Sequence, residues 1–186
     1  MSSINKIKEI LSHPNTLTLF RILAIPGIVF LLLFPTRLCT FLAAILFIIA
    51  AITDFLDGFL ARKRGLVSNL GKMMDPLADK LLVSSAFIML TYHQWVPGWI
   101  VCIIIGREIA ITGLRAILVE KGEDISASWL GKWKTTFQIA ALIGLIVHFE
   151  HFNISFNLIG TYLLWIALVL TIWSGIDYFV KFRKLF

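Results

Sequence analysis

Six apolar stretches take up almost the whole of this 186-residue chain, at 17–34, 39–62, 75–92, 97–119, 135–149 and 156–180. Hydrocarbon offers no water to satisfy backbone N–H and C=O groups, so a segment inside it must bond to itself as a helix or close into a barrel. Runs near 20 residues have the length of spanning helices, not of spanning strands. The expected fold is an all-α integral membrane protein of six transmembrane helices. Hydrophobic residues make up 59% of the chain and mean hydropathy is +0.89. A soluble domain of this length needs far more polar surface, and no segment is left over to build one.

Against that background, the charges inside the apolar runs become the informative residues. Residues 54–79 read DFLDGFLARKRGLVSNLGKMMDPLADK and carry four aspartates at the ends of two apolar segments. Asp54 and Asp57 are three apart and Asp75 and Asp79 four apart, spacings that put each pair on one helical face. Carboxylates are among the costliest groups to place in a membrane, so four together need a compensating charge. A hard divalent cation supplies it, preferring carboxylate oxygen and cancelling the mutual repulsion. Were the two segments antiparallel neighbours, the pairs would face each other, with room for one or two ions and a diphosphate. Gly58 and Ala61, on the face of the first pair, let a ligand approach the backbone. Arg62 follows as a planar fork suited to phosphate oxygens.

The pattern Asp54-x2-Asp57-Gly58-x2-Ala61-Arg62-x8-Gly71-x3-Asp75-x3-Asp79 resembles the complete signature of the CDP-alcohol phosphotransferase family. Upstream, Pro14-Asn15-Thr16-Leu17-Thr18-x2-Arg21 is similar to the start of the same family. The resemblance implies a six-helix enzyme that moves a phosphatidyl group from a CDP-linked lipid to an alcohol and releases CMP. It implies Mg2+ or Mn2+, one or two ions, held by Asp54, Asp57, Asp75 and Asp79. It further implies CDP and diphosphate contacts from Asp57, Gly58, Ala61, Arg62, Gly71 and Thr16, with Asp79 as the catalytic base. A homodimer is expected from the resemblance alone.

In the second half, Gly106-Arg107-Glu108-Ile109, Thr112-Gly113-Leu114-Arg115 and Gly131-Lys132-x-Lys134-Thr135-x2-Gln138 look like the bacterial branch of that family that joins CDP-diacylglycerol to sn-glycerol 3-phosphate. That acceptor is dianionic, and Arg107, Arg115, Lys132 and Lys134 could give it a basic pocket. Arg107 and Arg115 share a helical face, and Arg107 sits near mid-membrane, where it needs anionic partners or an internal pair with Glu108. Arg21 admits two readings, a phosphate ligand or a side chain snorkelling to the interface. Two other functions stay open: a cardiolipin synthase using phosphatidylglycerol as acceptor, and a cation transporter using the aspartates as a pathway.

Residues 1–14 form the remaining segment. Ile4, Ile7, Ile10 and Leu11 share one face, as in a short amphipathic helix lying on the membrane surface, which leaves 15–186 as the catalytic membrane domain. Twelve Lys and Arg lie at the N-terminus, the second-to-third and fourth-to-fifth connections and the C-terminus, against Arg37 alone on the opposite side. The positive-inside rule then places both termini and the acidic motif on the cytoplasmic side of a multi-pass protein, in the bacterial inner membrane by the resemblance. The net charge of +6 suits anionic lipid headgroups and phosphate substrates, not nucleic acid. Cys39 and Cys102 lie in apolar runs and imply no disulfide framework. His148 and His151 are too few to make a metal site.

Overall fold

A computed structural model of the protein describes residues 14–64, 69–120, 129–151 and 154–182, and these are almost entirely helical. The helices are α1 (Pro14–Leu33), α2 (Arg37–Arg64), α3 (Asn69–Tyr92), α4 (Gly98–Glu120), α5 (Trp129–Val147) and α6 (Phe156–Phe182). Strands β1 (Glu150–His151) and β2 (Ile154–Ser155) form a small antiparallel hairpin between α5 and α6. Packing divides the chain into two compact units, Met1–Met89 and Leu90–Phe186. Of the amphipathic surface helix expected at residues 1–14, all but Pro14 lies outside the described residues.

In the first unit α1 packs on α2. The buried stripe of α1 is Arg21, Ala24, Ile28 and Leu32, and that of α2 is Ala43, Ala44, Phe47 and Ala50. Small residues face inward on α2, while Leu38, Leu42, Ile45, Ile49 and Ile52 are exposed. This inverts the pattern of a water-soluble core. In lipid, burying Leu against Leu gains little over leaving it among acyl chains, so close backbone approach through small residues drives association. Thr36 starts α2 as its N-cap, with its Oγ1 accepting from the Cys39 backbone N–H at 3.2 Å. Pro26 lies inside α1.

The second unit is built on α6, which packs against both α4 and α5. Among the described residues α6 is the one helix long and apolar enough to cross a membrane, over Phe156–Val180. Its 25 residues rise about 37 Å, more than the roughly 30 Å of hydrocarbon. The apolar parts of α1 and α2, Leu19–Leu33 and Arg37–Thr53, are shorter. Within α4, Arg107, Glu108 and Arg115 interrupt the apolar run.

The closest helix contact in this unit is glycine on glycine. A Cβ added at Gly160 would lie 2.7 Å from Leu145 N and 2.9 Å from Gly144 C, and one at Gly144 would lie 2.9 Å from Gly160 Cα. Backbone cannot swing aside as a side-chain tip can, so both positions must lack a side chain for α5 and α6 to meet. At the end of α3, Gln94 adopts φ 60° and the N–H groups of Gln94 and Trp95 bond to Thr91 O and Leu90 O, a Schellman termination made without glycine. Trp95 then stacks on His148 at the end of α5, ring centroids 3.7 Å apart.

Two helix starts differ from the sequence expectation. Helix α3 begins at Asn69, not at residue 75, so Gly71 is helical and Pro76 is the eighth helical residue. Asn69 and Gly71 cost too little to stop a helix that its apolar continuation favours. Helix α5 begins at Trp129, not at 135, because Trp129, Leu130 and Trp133 extend its apolar face backwards. Lys132 and Lys134 are thereby helical.

Gly160→Ala is expected to destabilise the protein by about 1–3 kcal/mol through overpacking at α5–α6, read as a lowered unfolding midpoint in detergent. Gly113→Ala, where an added Cβ meets nothing within 4 Å, should be neutral or slightly stabilising. Equal effects at the two glycines would count against the close crossing.

Candidate active site

The acidic motif occupies two consecutive helices of the first unit. Asp54, Asp57, Gly58, Ala61 and Arg62 lie on α2, and Gly71, Asp75 and Asp79 lie on α3. Positions 43, 47, 50, 54, 57 and 61 recur at alternating steps of four and three, and the described ones, Ala43, Phe47 and Ala50, are buried. On α3, Asp79 stands one turn before the buried Val83.

Helix bounds also set the register. Asp54 is ten residues before the last residue of α2, and Asp79 is ten residues after the first of α3. Asp57 and Asp75 stand seven and six residues from those same ends. Asp79 is half-buried beside the buried Ala78. The side chains of Asp54, Asp57, Gly58, Ala61, Arg62, Gly71, Asp75 and Thr16 lie outside the described residues. Among the described residues, of which Asp79 is the one motif aspartate, no group of three or more His, Cys, Asp or Glu able to hold a metal occurs. Arg21, one of the two open readings above, is 0% exposed. It does not reach the protein surface, so snorkelling is not what its side chain does.

The basic residues form a second constellation, inside the second unit. Arg107 and Arg115 project from α4, and Ser174 and Tyr178 from α6. Arg107 Nη2 donates to Ser174 Oγ at 2.9 Å, and its Nη1 lies 3.6 Å from Glu108 Oε1. Arg115 donates from Nε to the Tyr178 hydroxyl at 3.1 Å and from Nη2 to the same oxygen. Both guanidinium carbons approach the Tyr178 ring, at 5.9 Å for Arg107 and 5.1 Å for Arg115. Gly175 leaves room for the stem of Arg107, since a Cβ there would be 3.3 Å from Arg107 Cγ.

Lys134, 3% exposed on α5, is ion-paired with Glu108 of α4. An unpaired ammonium at that burial would cost several kcal/mol, so the carboxylate is what permits a lysine there. Lys132, on the same helix, is exposed. One turn along, Gln138 Nε2 donates to Thr171 Oγ1 at 3.1 Å, linking α5 to α6. The structure therefore brings Arg107, Arg115 and Lys134 into one polar seam and leaves Lys132 at its edge.

Ser174 and Tyr178 are the residues that sequence reasoning missed. The signal was present: Thr171, Ser174, Gly175 and Tyr178 recur at steps of three and four along an otherwise apolar helix. All four are buried, a polar stripe where a simple lipid-embedded helix has none.

Comparison with known proteins adds an independent line. The chain matches the CDP-alcohol phosphatidyltransferase family over residues 11–173. It is similar to the CDP-diacylglycerol–glycerol-3-phosphate 3-phosphatidyltransferase of Bacillus subtilis (strain 168), 44% identical, with 90% of this chain and 93% of the relative covered. Proteins of the same name from Rickettsia bellii (strain RML369-C) and Escherichia coli (strain K12) are 43% and 40% identical, covering 93% and 89% of this chain and 96% and 91% of their own.

A double-mutant cycle tests the seam. Glu108→Gln and Lys134→Met should each lower stability, and the double variant should lose less than the sum, with a coupling of about 1–3 kcal/mol in chemical unfolding. Additive losses would mean that Glu108 and Lys134 do not support each other.

Proposed function

This chain is a member of the CDP-alcohol phosphatidyltransferase family, and from that premise we propose that it transfers the phosphatidyl group of CDP-diacylglycerol to sn-glycerol 3-phosphate, releasing CMP. The observation that carries the reading is identity of 40–44% along about nine-tenths of both chains to proteins named for this donor and this acceptor. Such similarity includes the half that bears the basic seam, not the acidic motif alone. It favours glycerol 3-phosphate over phosphatidylglycerol as acceptor, and an enzyme over a transporter.

The chemistry follows from the two sets of residues. With α2 and α3 antiparallel, their symmetric register puts Asp54 and Asp79 at one level and Asp57 and Asp75 about 4–6 Å nearer the connection. Four carboxylates are a hard, all-oxygen donor set, the kind that Mg2+ and Mn2+ prefer, so the residues present fit one or two such ions. When bound, the metal would neutralise the diphosphate and stabilise charge on departing CMP. Gly58 and Ala61 leave space for the cytidine, and Arg62, Gly71 and Thr16 hold the diphosphate. Asp79 accepts the proton of the acceptor's primary hydroxyl. That oxygen forms a bond to the phosphatidyl phosphorus as the bond from phosphorus to CMP breaks. Arg107, Arg115, Lys132 and Lys134 supply positive charge for the acceptor phosphate.

The donor's acyl chains explain why such a site is embedded. We place the helices as six spans with both termini and the acidic motif on the cytoplasmic side, where nucleotides and sugar phosphates are found. The enzyme is proposed to work as a homodimer in the inner membrane, with residues 1–14 on its surface.

Purified full-length protein in detergent, given CDP-diacylglycerol and Mg2+, is expected to release CMP with glycerol 3-phosphate and not with phosphatidylglycerol or serine. Asp79→Asn should lower kcat about 100-fold or more without unfolding the protein. Chelation should abolish release, and added Mg2+ or Mn2+ should restore it. Release with phosphatidylglycerol alone would overturn the acceptor, and release that survives chelation would overturn the metal.

A further inference from the structure

The two arginines of α4 are held in a way that a purely structural ion pair does not require. Among the described residues, Arg115 has no carboxylate partner, since both of its bonds go to the neutral Tyr178 hydroxyl. Arg107 is bonded to the neutral Ser174 hydroxyl, and the Glu108 carboxylate that it approaches at 3.6 Å is ion-paired with Lys134. Arg107 Nε is buried and has no hydrogen-bond acceptor.

The hydroxyls of α6 are oriented for this task. Thr171 Oγ1 donates to Ala167 O at 2.6 Å, and Ser174 Oγ donates to Thr171 O at 3.1 Å. Each spends its proton on its own helix, which turns a lone pair toward the neighbouring donor. Ser174 therefore accepts from Arg107 in a fixed direction. Tyr178, 4% exposed, is clamped by Ile111, Leu114 and Leu118 of α4 and cannot swing away. A carboxylate at either position would hold an arginine equally well but would cancel its charge. A hydroxyl fixes the guanidinium and leaves the charge for an anion.

We propose that Tyr178 and Ser174 are positioning residues that preset Arg115 and Arg107 as a two-guanidinium receptor for a single phosphate dianion, the phosphate of the acceptor. The assignment of that phosphate to glycerol 3-phosphate rests on the function proposed above, whereas the receptor itself rests on the geometry of α4 and α6. Preset donors avoid the loss of side-chain freedom on binding, so the hydroxyls act on acceptor affinity more than on the chemical step.

The test uses Tyr178→Phe, which keeps the ring and removes the oxygen, with Ser174→Ala as a second variant. In full-length enzyme, each should raise KM for glycerol 3-phosphate roughly tenfold, the usual effect of losing one bond to a charged group. KM for CDP-diacylglycerol and kcat should stay within about twofold. A merely structural role would move both KM values together with the unfolding midpoint, and that outcome overturns the proposal. An unchanged KM for glycerol 3-phosphate in both variants also overturns it. Binding of inorganic phosphate, measured by calorimetry without CDP-diacylglycerol, separates this proposal from the acceptor's identity. If the wild type uses a different acceptor yet binds phosphate about tenfold more tightly than the variants, the receptor stands and the named substrate falls. If wild type and variants bind phosphate equally, the receptor falls.

Discussion

A charge carried into a membrane has to be answered inside the protein, and that requirement organises this structure. Arg21 is fully buried in α1, Lys134 is paired by Glu108 of the adjoining helix, and Arg107 and Arg115 meet hydroxyls of α6. Each is carried on a helix whose other residues are mostly apolar, so each fixes which face of that helix looks inward. The helices could rotate about their axes at little cost in lipid contact alone. It is the polar groups, and the small residues beside them, that remove this freedom.

Small residues do the rest of the packing. Leucine and isoleucine face outward along α2 while alanine faces α1, and glycine meets glycine between α5 and α6. The gain is in contact between backbones, which lipid chains cannot imitate. Gly175 combines both roles, since its missing side chain is where the stem of Arg107 passes. Packing and polar placement are thus one arrangement on α6 and not two.

The sequence made the acidic motif legible because fixed spacing on a helix has one geometric meaning, and family membership agrees with that reading. Apolar runs located the helices well at their apolar ends, as at Tyr92, Glu120 and Phe156. They failed at Asn69 and Trp129, where a helix continues past its apolar run into charged and glycine-containing residues. Hydropathy reports where lipid lies and not where a helix stops. The partners of Arg107 and Arg115 were hidden because serine and tyrosine are unremarkable one at a time. The stripe of Thr171, Ser174, Gly175 and Tyr178 marks them as inward-facing, but which helix they meet depends on what packs opposite.

Why the last helix answers arginine with hydroxyls follows from its own burden. Helix α6 is the one described helix that qualifies as a span by length and composition, and its central residues are uncharged. A carboxylate at position 174 would add a second charge to a span that already carries Asp177, raising the cost of inserting that helix before any arginine was present to pair with it. Serine and tyrosine add far less, since a hydroxyl can bond to its own helix while it waits, as Ser174 does to Thr171 O. The same choice leaves Arg115 held by a hydroxyl, with no carboxylate partner among the described residues. A constraint on membrane insertion and a requirement for anion binding are therefore met by one substitution pattern. Glu108, on α4 among other charges, is where a carboxylate is tolerated, and there it is used to settle Lys134.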